Sequence, residues 1–117
     1  VSAVGSRPSS SWVRALQDIP QSHLRSLPSE TFCVYFAEEE GGYIKIGVSR
    51  VSTVLNRIAH LRNANPREIT LRRIVEGDIT TEKRLHRYFE HLYVRGEWFV
   101  VDDELAKIAR IPSDGHA

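Results

Sequence analysis

TFCVYFAEEEGGYIKIGVS, Thr31 to Ser49, reads as two short strands joined by an acidic, glycine-bearing turn. The runs Phe32–Phe36 and Tyr43–Val48 are rich in β-branched and aromatic residues and are bounded by turn formers. Successive strand side chains point to opposite faces, so Phe32, Val34 and Phe36 share one face, matched by Ile44, Ile46 and Val48. The other face carries Cys33 and Tyr35 opposite Tyr43, Lys45 and Gly47. A half-buried hairpin with its polar face in water is the ordinary arrangement for such a pattern. A face of tyrosine, lysine and glycine can also hold a site.

Downstream, Ser49 or Ser52 can cap a helix running to about Asn63, with Val51, Val54, Leu55, Ile58 and Leu61 on one side. At about 100° per residue, Arg57 falls on the margin of that stripe, where its stem packs and its head reaches outward. Pro66 ends the helix, and Ile69–Val75 reads as a third strand. After Glu76-Gly77-Asp78, Thr80 can cap a helix to about Leu92, with Leu85, Tyr88, Phe89 and Leu92 as its apolar stripe. Glu82 lies one turn before Leu85, on the flank of the buried side. It is either a helix-dipole partner in the first turn or a sheltered carboxylate that needs a partner.

Gly96 marks a turn before Trp98-Phe99-Val100-Val101, read as core or lid residues, and Asp102-Asp103 caps a last helix, Glu104 to Arg110. Upstream, Trp12–Leu27 has broken helical spacing interrupted by Pro20. The expected organisation is a tail and short helical extension over 1–28, one domain over 29–111, and a C-terminal tail over 112–117. The fold class is α+β: a small three-stranded antiparallel sheet flanked by helices, in the order β-β-α-β-α-α.

Of the 117 residues, 41% are hydrophobic and 26% charged, enough for one modest core. A formal net charge of +1 provides no global field, so any nucleic-acid affinity must come from a local patch. The single cysteine, Cys33, excludes an intramolecular disulfide and suits a reducing compartment. No apolar run approaches the roughly 18 residues of a spanning helix, and no signal-peptide layout opens the chain. A cytoplasmic protein with no membrane role is expected.

One cysteine and five scattered histidines give no zinc-type ligand set. Glu82 and His86, at i and i+4, could place two ligands on one ion, although a solvated helix pair is the commoner meaning of that spacing. No phosphate-cradling glycine loop or nucleophile setting is present. The arginines and lysines, by contrast, gather in the middle and later chain, with Arg50, Arg62, Arg84 and Arg87 as candidate DNA contacts. Glu38-Glu39-Glu40 and Asp102-Asp103-Glu104 are expected at the periphery.

Taken in order, these residues resemble the GIY-YIG endonuclease superfamily, in its small phage- and plasmid-type branch. The resemblance runs over Phe32–Ile108: a first strand ending in Cys33-Val34-Tyr35, a second reading Ile44-Lys45-Ile46-Gly47, a helix carrying Arg57, a later helix with Glu82 and Leu85-His86, and a closing Gly96-Glu97-Trp98-Phe99. The separation of Tyr35 from Lys45 suits that of the family's two name-giving triplets. The resemblance implies a metal-dependent endonuclease hydrolysing DNA phosphodiester bonds; RNA stays open as a substrate. Tyr35, Lys45, Arg57 and Glu82 would be catalytic, with Glu82 holding Mg²⁺ or Mn²⁺. Tyr43, Gly47 and His86 would support them. Lys45 stands where the family has tyrosine, and it would help Tyr35 from across the sheet. No asparagine follows Asn65, although several relatives in the family carry one late in the chain. The alternative is a non-catalytic nucleic-acid-binding module on the same fold, and specificity could come from a protein partner.

Overall fold

The computed structural model describes residues 27–110; the helical extension read at Trp12–Leu27 falls almost wholly outside them, as do His23, His116 and the C-terminal tail. The protein is α+β, but its sheet has five antiparallel strands, two more than expected. They are β1 (Phe32–Glu39), β2 (Tyr43–Arg50), β3 (Ile69–Glu76), β4 (Tyr93–Arg95) and β5 (Trp98–Val100), in spatial order β3-β1-β2-β5-β4. A short 3₁₀ turn, Val51–Thr53, leads into helix α1 (Val54–Ala64); α2 (Ile79–Tyr88) and α3 (Asp103–Ala109) follow. The added strands form a hairpin between α2 and α3, with Gly96 at φ 59 in the left-handed turn region.

Both faces of the sheet are covered, so the hairpin's second face is not simply open to water. On one side Val34, Phe36, Ile44 and Ile46 pack with Leu85, Phe89, Phe99, Leu105 and Ile108, so α2 and α3 lie there. On the other, Cys33, Tyr35 and Ala37 pack with Val51, Val54 and Ile58, so α1 lies there. Leu55, expected on the apolar stripe of α1, is 60% exposed: the helix meets the sheet through buried Val54 and Ile58 and partly buried Leu61.

A register shift explains the ITLRRIV run. Phe36 pairs with Arg73 and Ala37 with Leu71, leaving Arg72 as an extra residue in a β-bulge. The bulge reverses the alternation, turning Ile69 and Leu71 toward α1 while Arg73 and Val75 face α2 and α3. Arg73, one of the arginines gathered in the middle of the chain, is therefore fully buried and donates to the Ile108 carbonyl at 2.8 Å. Glu38 on β1 is also buried, not peripheral, and is bound by Arg72 and Arg110.

The helix starts differ from expectation. Ser49 bonds the Thr53 hydroxyl at 2.8 Å, and no side chain caps α1. Asp78, not Thr80, caps α2 by accepting from the Thr80 amide, and the helix ends at Tyr88 before a 3₁₀ turn at Glu90–Leu92. Asp102 caps α3, as the sequence indicated. Among the described residues, no helix is long and apolar enough to cross a membrane.

Candidate active site

β1 places Tyr35 beneath α1, 1% exposed, directly opposite Gly47 of β2. A Cβ at Gly47 would lie 2.6 Å from the Tyr35 Cζ and hydroxyl, so the phenol ring rests on bare backbone. Lys45 is not Tyr35's cross-strand partner as expected: it pairs with Ala37, one pleat further along the same face. Burial, followed by the negative charge of Glu97, pushes the Tyr35 phenol up to about 12. Arg57, exposed on α1, acts against that rise through its charge and a hydrogen bond with the phenol.

Glu82 enters from the first turn of α2, 4% exposed, and its Oε2 has no hydrogen-bond partner. Burial raises its carboxyl to about 7, reinforced by the charge of Glu97 and a hydrogen bond to it. The sequence left a dipole role and a sheltered carboxylate equally open. The burial agrees with the second: a solvated first-turn glutamate would not meet another carboxyl.

Glu97 is the residue the sequence reading passed over as a site member. It follows Gly96, lies half-buried, and its Oε1 sits 2.9 Å from Lys45 Nζ. Burial favours its neutral form, but the Lys45 ion pair and the Glu82 hydrogen bond outweigh this and hold its carboxyl below the usual range. Its position comes from β5 pairing with β2, where Trp98 faces Lys45 and the Ile46 amide donates to the Glu97 carbonyl at 3.0 Å. The local signal was a carboxylate beside a turn glycine in an otherwise aromatic run, which does not reveal a pairing with a strand fifty residues earlier.

His86 lies one turn after Glu82 and contacts the Ile46 carbonyl through Nε2 at 2.8 Å. A carbonyl only accepts, so Nε2 carries the hydrogen and cannot ligate a metal in this arrangement. The ring also packs edge-on against Phe99 at 5.0 Å. The cluster thus joins Tyr35, Lys45, Gly47, Arg57, Glu82, His86 and Glu97 from four elements, β1, β2, α1 and α2, and the turn between β4 and β5. No protein-family model, curated protein or solved structure matches the chain. The geometry must carry the functional reading.

The other predicted residues lie elsewhere. Tyr43 lines a separate cleft of about 330 Å³ with Arg95, Trp98 and Asn65. Arg50 pairs with Glu30 and stands 5.0 Å over the Phe32 ring. Arg62 donates to the Ile69 carbonyl at 3.0 Å, tying α1 to β3. Arg84 and Arg87 are exposed on α2, the helix that carries Glu82. Among the described residues, no group of three or more histidine, cysteine or acidic side chains is disposed to hold a metal ion. The donor set nevertheless fits one hard cation: a carboxylate with an orphaned buried oxygen, beside a second carboxylate.

Proposed function

We propose that the protein is a metal-dependent endonuclease acting on DNA phosphodiester bonds. The observation that carries this reading is the buried Glu82 oxygen without a partner, set in one cluster with Tyr35, Lys45 and Arg57. A buried, unsatisfied carboxylate costs stability, and such groups concentrate where chemistry needs them. Mg²⁺ or Mn²⁺ held by Glu82 would supply Lewis-acid polarisation of a phosphoryl oxygen.

The remaining roles belong to the chain. Arg57, with its guanidinium at the surface beside the Tyr35 hydroxyl, would pair with a phosphate oxygen as negative charge builds there. Tyr35 keeps its proton at neutral pH, so it would orient a water or phosphate by hydrogen bonding, not by acting as a base. Gly47 lets the phenol lie flat against β2. His86 holds the Ile46 segment, next to the Lys45–Glu97 pair, against α2.

One observation favours a second reading, a nucleic-acid-binding module that does not cut. Tyr35 is covered almost completely, while Arg57 beside it is exposed to an approaching backbone. Nicking of supercoiled plasmid across divalent metals separates the two. We expect nicking that requires Mg²⁺ or Mn²⁺ and is lost in Glu82→Ala and Arg57→Ala while DNA binding persists. Binding without cleavage in any metal would leave the second reading standing. No binding even at low salt, where phosphate contacts are strongest, would remove both.

A further inference from the structure

We propose that Glu97 is a second carboxylate ligand, and that Glu82 and Glu97 together bind one divalent cation of the Mg²⁺ or Mn²⁺ class. The assignment deepens the nuclease reading and rests on it for the cation's purpose. Glu82 Oε2 is buried and unpartnered, and the Glu82 carboxyl as a whole adjoins that of Glu97. Two carboxyl groups in hydrogen-bond contact keep that contact only with a proton between them. A divalent ion can take the same place and satisfy the orphaned oxygen as well.

Charge balance supports this placement. Lys45 already lies on Glu97 Oε1 at 2.9 Å, while exposed Lys83 acts on Glu82 through its charge alone. Arg57 is directed to Tyr35. Lys45 therefore works as a positioning residue: it holds one Glu97 oxygen and leaves the other carboxylate oxygen for the ion. The donor chemistry sets the class of metal. The His86 Nε2 is committed to the Ile46 carbonyl, and Cys33 is buried among the apolar residues under α1. The two carboxylates themselves are oxygen donors, which suits hard cations over zinc.

Cation binding is measured on the full chain without DNA. Titration with Mn²⁺, followed by the electron paramagnetic resonance of the free ion, should show one site per chain that Mg²⁺ displaces. Glu97→Gln and Glu82→Gln should each weaken it by on the order of tenfold or more. Paramagnetic line broadening in the unsubstituted protein provides a readout independent of whether either variant folds, and should centre on the amides of residues 82 and 97. No Mn²⁺ uptake at millimolar concentration, unchanged affinity in a folded Glu97→Gln, or broadening centred elsewhere overturns the proposal. Mn²⁺ bound through both carboxylates with no plasmid nicking keeps this site and removes the nuclease reading. Nicking by a protein whose Glu97→Gln variant binds Mn²⁺ like the parent does the reverse.

Discussion

Tyr35 and Gly47 act as one unit, because the phenol occupies the volume that any side chain at 47 would need. Tyr35 cannot yield easily, being 1% exposed and packed under α1. We therefore expect Gly47→Ala to cost about 1–3 kcal/mol of stability, the range for overpacking a filled core. Urea unfolding would measure it, and the cost should shrink in a Tyr35→Ala background; equal costs in both backgrounds would separate the two residues. At this scale the sequence was informative where a residue type was odd for its place: Tyr35, Gly47, Arg57 and Glu82 all stood out against a helical or strand pattern. Lys45 was identified, but its partner was not, because the register sets it across from Ala37 and beside Glu97. Glu97 stands out only as a carboxylate beside Gly96 in an aromatic run, which says nothing of Lys45 or Glu82. Arg73 and Glu38 looked like surface charges, since no periodicity shows a bulge or an ion pair that closes between distant segments.

The long elements were legible because their apolar spacing persists: β1, β2 and β3 each span eight residues, and α1 spans eleven. β4 and β5 have three residues each, and Tyr93, Val94 and Arg95 are all exposed, so no alternation marks β4 as a strand. That hairpin exists because β2 offers an edge, a tertiary cause that short-range pattern does not contain. The start of α2 matters most for the proposed site, since it carries Glu82. Asp78 Oδ1 accepts from the Thr80 amide at 2.9 Å, and the side chain of Thr80 lies exposed. Asp78→Ala should therefore lower stability by about 1 kcal/mol, while Thr80→Ala should change it by only a few tenths. Thermal unfolding of the two variants decides between them; the opposite ranking would return the cap to Thr80.

Across the whole molecule, two carboxyl groups shifted in opposite directions shape the dependence of stability on pH. Glu38 joins β1 to β3 and to the end of α3: its carboxylate binds Arg110, at 2.9 Å from Nε, and Arg72, at 3.0 Å. The Arg110 hydrogen bond leads in holding it below the usual range, followed after opposing burial by Arg72. Its folded pKa is depressed, so its contribution is present above the unfolded value of about 4.5 and is lost as pH falls through the folded one. Glu82 runs the other way. Burial raises it from 4.5 to about 7, so its contribution is complete below about 4.5 and is lost as pH rises through 7. Stability in EDTA should then peak at about pH 4.5, with an acid limb from Glu38, to which Glu97 adds, and a limb toward neutrality from Glu82. Glu38→Gln should flatten the first and cost about 1–2 kcal/mol at the peak, a value discounted because both arginines are partly in water. Glu82→Gln should flatten the second and raise stability above pH 7 by on the order of 2–3 kcal/mol, since this carboxyl is only 4% exposed. Denaturant midpoints from about pH 3 to 9 test both limbs. A Glu82→Gln curve that runs parallel to the parent between pH 5 and 8 would show that Glu82 ionises without penalty. The physical basis for a strained carboxylate at this site would then be gone. If instead the limb disappears and nicking disappears with it, the same buried charge weakens the fold and serves the chemistry.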